Sequence, residues 1–239
     1  MEKQSFELRA QQAQRLVQAE LEALSDSKKA VEMAQYMKSE MPFYGVQKPD
    51  RIPILKKLSR DYAPTCQREY IKIVEALWQG EHREERYLAI DYAQRFVTFA
   101  DCGSLPLFEK MIRSGAWWDF IDPIASALIG TVLLAERQSV APLLYKWIED
   151  ESLWIRRSAI LSQLKHKTAT DNTMLFQFCL ATMHENEFFI RKAIGWALRE
   201  YSYTEPQLVK EFLLANKAKL SPLSFREGAK HLLKSGALK

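Results

Sequence analysis

Helix breakers are scarce in this chain, with eight glycines and nine prolines among 239 residues. Strand-type alternation bounded by turn residues is missing too, which argues against a sheet architecture. Cysteine is limited to Cys66, Cys102 and Cys179, far apart and with no CxxC. A disulfide framework is therefore excluded, and free thiols in a reducing cytoplasm are expected. The four histidines (His82, His166, His184 and His231) have no metal-ligand spacing with cysteines or acids, and none sits beside a plausible nucleophile. No metal is expected. Neither GxGxxG nor a P-loop lysine occurs, so no nucleotide cofactor (ATP or NAD) is expected. No run of eighteen apolar residues points to a membrane span, and MEKQSFELRAQQAQ lacks the apolar core of a signal peptide.

What is present is helical periodicity. Apolar residues recur at three- and four-residue spacing in ELRAQQAQRLVQAELEAL, SKKAVEMAQYMKSE, REYIKIVEALWQ, REERYLAIDYAQRFVTFA and EPQLVKEFLLANKAK. Breaks are expected at 41–51, at 63–65, near Gly80, Gly103 and Gly115, and around Asp171, Glu205 and Pro222. Short connections of this kind favour antiparallel neighbours. A repeat underlies the pattern: LWIRRSAILSQL (153–164) and FFIRKAIGWALR (188–199) superimpose at a shift of 35. A period near 35–40 with two helices per unit marks an α-solenoid, whose units bury apolar faces only by stacking. The expected fold is all-α, a concave superhelix of about six antiparallel helix pairs forming one domain over 1–239.

Charge is uneven. The net charge is +4, and ten Lys/Arg against four Glu from Arg191 to Lys239 leave residues 1–190 at −2. A cationic C-terminal third suits an anionic partner, nucleic acid foremost, although a solvated basic surface has the same composition.

Three places break their helix's apolar stripe. Arg157 falls among Leu153, Ile160, Leu161 and Leu164; it either reaches water or a carboxylate, or clamps a phosphate. Trp196 lies outside the stripe of its helix, between Lys192 at i−4 and Arg199 at i+3. It either packs on a neighbouring repeat or stacks on a nucleotide flanked by phosphate-binding cations. In GAWWDFIDP (115–123), Asp122 followed by Pro123 fits an N-cap, and Asp119 fits equally well. If 118–122 is helical instead, Trp118 and Asp122 share a face as i and i+4. An indole face beside a carboxylate stabilises positive charge, as on the oxocarbenium ion of glycosidic cleavage. A leaving group that is already cationic needs no second acid, so one aspartate would suffice.

These segments resemble the bacterial DNA alkylation-repair glycosylases built from HEAT-like repeats, the AlkD type. The likeness is carried by AVEMAQYMKSEMPFYGVQKPDR, WWDFIDPIA, WIRRSAILSQLKHKT and EFFIRKAIGWALREY and spans nearly the whole chain. The resemblance implies excision of cationic N3- and N7-alkylated purines from duplex DNA, in a concave basic cleft, by an aspartate flanked by two tryptophans and an arginine. By matched motif these are Asp122, Trp118, Trp196 and Arg157. Tyr36 matches a further cleft residue, and Lys165 and Lys167 fit backbone-binding positions, though both would also suit a helix C-terminus. The resemblance further implies a monomer on alkylated double-stranded DNA, in the bacterial cytoplasm at the nucleoid. Two other uses of such a scaffold are a non-catalytic binder of DNA structures and a peptide-binding solenoid.

Overall fold

The computed structural model describes residues 2–238 and contains, among them, fourteen α-helices and no strand. The chain divides into two compact units, and the division falls in the first turn of one helix, after Leu107.

The first unit holds α1 (Glu2–Ala23), α2 (Ser27–Met37), α3 (Lys48–Asp61), α4 (Gln67–Trp78) and α5 (Arg83–Arg95), and α6 (Leu105–Gly115) begins at its end. Ala13, Val17 and Leu21 follow each other at i+4 on α1 and are fully buried, as are Tyr70, Ile73, Val74 and Leu77 on α4. Helix α1 packs on α4, and α5 packs on α4 as well. Burying each such aliphatic side chain contributes about 1.5–3 kcal/mol. The expected break at 41–51 falls three to four residues earlier, at 38–47. Helix α3 restarts at Lys48, because Pro49 occupies its first turn, where no N–H is needed. The loop before it is organised by Glu84 of α5, a buried carboxylate that accepts from the backbone N–H groups of Tyr44, Gly45 and Val46 at 2.9–3.1 Å. Gly45 has φ of +88°, and any side chain there would collide with the Asp26 carbonyl.

The second unit continues with α7 (Trp118–Pro123), a π-helical turn (Ile124–Ile129), α8 (Gly130–Ala135), α9 (Arg137–Trp147), α10 (Leu153–Leu161), α11 (Asn172–Thr182), α12 (Phe188–Ser202), α13 (Pro206–Ala215) and α14 (Pro222–Lys234). Asp171 and Ser221 cap α11 and α14, accepting from Met174 N–H and Ser224 N–H at 3.0 Å each. The packing has two rows. The segment from α7 through the π turn lies on α10, α10 on α12, and α12 on α14, while α9, α11 and α13 bridge consecutive members. Alternate helices thus stack on one another, as the 35-residue shift requires.

Trp118–Ala135 runs as one unbroken helical stretch, long and apolar enough to cross a membrane by length and composition. Its apolar side chains are used within the unit: Phe120, Ile121, Ile124, Ala125, Leu128, Ile129 and Leu133 are all fully buried. It is a core helix here.

Candidate active site

Trp117, not an aspartate, is the N-cap residue of α7, with extended backbone and no side-chain cap. The N-cap expectation for Asp122 and Asp119 therefore fails: the helix starts earlier, and Pro123 lies at its end rather than at its first position. Because 118–122 is helical, Trp118 and Asp122 share one face. The chain then widens into the π turn immediately after Pro123, and the Ser126 hydroxyl donates to the Asp122 carbonyl at 2.8 Å. Single π turns of this kind occur often at functional sites.

The two adjacent tryptophans have opposite duties. Trp117 is half-buried against Trp154 and Phe189, with ring centroids at 5.9 and 5.6 Å; those two rings lie 4.9 Å apart. Its indole N–H is buried with no partner in the protein. Trp118 is 37% exposed and faces a pocket of about 410 Å³.

Asp122 and Arg157 meet in that pocket, although they stand 35 residues apart. Arg157 Nε donates to Oδ1 and Nη2 to Oδ2, both at 2.8 Å, a bidentate pair. Arg157 Nη1 donates to the Phe189 carbonyl, and the guanidinium lies 5.9 Å from the Phe189 ring. The stripe-breaking arginine is thus paired with a neighbouring carboxylate, and that carboxylate belongs to the site. Both carboxylate oxygens accept, so the geometry is that of ionised Asp122. Burial pushes its pKa above the ordinary aspartate range, against the pull of the Arg157 guanidinium.

Trp196 lines the same pocket, half-buried, with Phe188 and Phe189 beside it. Lys192 and Arg199 flank Trp196 on α12 and also line the pocket. Three lining residues escaped the sequence reading: Phe188, Phe189 and, the one that carries charge, Glu227. Glu227, from α14, is only 6% exposed and pairs with Lys230 at 2.7 Å, Arg199 at 3.1 Å and Lys192 at 3.3 Å. Those contacts, led by the Lys230 hydrogen bond, hold its carboxyl below the usual glutamate range.

The other expected residues lie elsewhere. Tyr36 is 80% exposed in the first unit, at a separate depression with Met33, Met37, Phe43 and Tyr87. Lys165 is exposed after α10, and Lys167, with φ of +52°, borders another hollow beside Thr170 and Tyr203. Neither lysine lines the Asp122 pocket. Among the described residues no group of three or more His, Cys, Asp or Glu side chains could hold a metal.

The model of the DNA alkylation repair enzyme family matches residues 17–232. The chain belongs to this family. A solved structure, described as a predicted DNA alkylation repair enzyme from Enterococcus faecalis, matches with a TM-score of 0.79 and 32% identity. The match covers 88% of this chain and 97% of that one. No curated protein sequence matches the chain.

Proposed function

We propose that this family member is a monofunctional glycosylase, hydrolysing the N-glycosidic bond of cationic N3- or N7-alkylated purines such as 7-methylguanine and 3-methyladenine in duplex DNA. The observation that carries this reading is a half-buried Asp122 held bidentately by Arg157 and opening onto a pocket walled by Trp118 and Trp196.

The chemistry follows from what the pocket lacks. The other lining carboxylate, Glu227, is held ionised by three cations, so neither lining carboxyl group is set up to protonate a departing base. An ordinary purine would leave as an anion and needs that proton. An alkylated purine carries its positive charge already: as the C1′–N bond breaks, the bonding pair neutralises the ring and the base departs uncharged. Positive charge then develops on the deoxyribose. The Asp122 carboxylate stabilises it directly, and the indole faces of Trp118 and Trp196 do so through their quadrupoles. Water adds to C1′, giving up its proton to solvent by way of Asp122, and an abasic site remains. Arg157, 4% exposed with three of its N–H groups engaged, acts by orienting Asp122. Phosphate contact then falls to Lys192 and Arg199 at the pocket wall. Tyr36, Lys165 and Lys167 are further DNA contacts in this reading.

The test is chromatography of the bases freed from methylated duplex DNA. Wild type should release 7-methylguanine, and Asp122→Asn should lower the rate about 10²–10³-fold while duplex binding stays near wild type. An Asn variant that excises normally would overturn the mechanism. A wild type that binds DNA and frees nothing would leave a non-catalytic DNA binder.

A further inference from the structure

Asp122, Arg157, Lys192 and Glu227 stand at successive intervals of 35 residues, on α7, α10, α12 and α14, and all four line the one pocket. A single repeat position is therefore read four times along the row formed by α7, α10, α12 and α14, as acid, base, base, acid. The first two members make one ion pair and the last two another. Glu227 is the counterpart of Asp122 at the far end of the row, yet its surroundings differ. Asp122 is held by one guanidinium, whereas Glu227 collects Lys192, Arg199 and Lys230.

The backbone is built to bring Glu227 there. A Cβ at Gly195 would lie 2.5 Å from the Glu227 Cβ and 3.0 Å from the Ser224 carbonyl oxygen. The Ser224 hydroxyl, in turn, donates to the Arg191 carbonyl at 3.0 Å and ties the start of α14 to α12. The glycine before Trp196 thus lets α14 close on α12 and sets the carboxylate beside Trp196's cationic neighbours. Lys192 and Arg199 are long side chains on opposite sides of Trp196 in sequence, and each loses rotamer freedom when it engages a phosphate. A buried carboxylate that holds both before DNA arrives removes much of that loss.

We propose that Glu227 is a positioning residue for DNA binding, which fixes Lys192 and Arg199 at the pocket wall as a preformed clamp for the phosphates flanking the target nucleotide. This rests on the glycosylase reading for the identity of the DNA site, but its test does not use catalysis. Charge alone predicts one sign: Glu227→Gln removes a negative charge beside DNA and should tighten binding. Positioning predicts the opposite.

The experiment measures duplex DNA affinity across a salt series for wild type, E227Q, K192M/R199M and the triple variant, with thermal melting as the control for folding. E227Q should bind at least about fivefold more weakly despite its gain in net charge, with a log–log salt slope shallower by about one. In the K192M/R199M background E227Q should add nothing. Should E227Q fail to fold, Glu227→Asp keeps the charge, shortens the reach by one methylene and should weaken binding likewise. E227Q or E227D binding as tightly as wild type, or an equal weakening with and without Lys192 and Arg199, would overturn the proposal. A wild type that binds duplex DNA but frees no base sinks the glycosylase reading alone, and one that does not bind duplex DNA sinks both.

Discussion

At the scale of single residues the site is governed by how Asp122 is kept charged. Its carboxyl is buried, which raises its pKa, and Arg157 is the guanidinium that opposes the rise. The proposed reaction needs the carboxylate, so activity should be present above the folded pKa and lost as pH falls through it. The acid limb of base release should therefore lie above the ordinary aspartate value of about 3.9. Arg157→Gln keeps the burial and removes the cation, so its acid limb should move to still higher pH; a pH–rate profile under single-turnover conditions checks this, and an unmoved limb would assign the titration to another group. Much of this was legible in the sequence. Arg157 announced itself as a charge on an apolar stripe, and Trp118 with Asp122 as an i,i+4 pair. Glu227 was not, because its own helix gives it an unremarkable setting and its partners Lys192 and Arg199 lie on another helix. The signal that finds it is the 35-residue step from Arg157 to Lys192, carried forward once more.

At the scale of elements, α12 and α14 approach closely at the site, and that approach depends on Gly195. Alanine there would gain up to about 1 kcal/mol of helix propensity, yet must force two packed helices apart, which typically costs about 1–3 kcal/mol. Gly195→Ala should therefore lower the melting temperature. Gly228→Ala, whose Cβ would meet the Leu198 and Leu213 side chains at 3.3 Å rather than backbone, should lower it less. Equal effects would show that the Gly195 approach is not limiting. Helix spans followed from apolar periodicity closely, as with Ser27–Met37 and Phe188–Ser202, because those stripes are what the unit buries. The π turn at Ile124–Ile129 did not, and the start of α7 stayed open between a cap at Asp122 and a helix from 118. Asp-Pro is locally compatible with a cap, and only the packing of Phe120 and Ile121 into the core pulls 118–122 into helix.

At the scale of the whole molecule, the charge excess from Arg191 to Lys239 belongs to the same unit as the pocket. Duplex DNA affinity should fall steeply with salt, and Lys192→Met should make the log–log slope shallower by about one. A flat salt response would favour a peptide-binding scaffold instead. The paired indoles at 117 and 118 also make the molecule its own optical instrument. Of the six tryptophans, all within the described residues, Trp118 is the exposed one, while its chain neighbour is packed against Trp154 and Phe189. Red-edge emission, accessible to an external quencher, therefore reports on the mouth of the pocket, while the blue component sums the buried Trp78 and Trp147 with the half-buried indoles and reports on the packed interior. Occupancy and unfolding can be followed in the same cuvette with no dye attached.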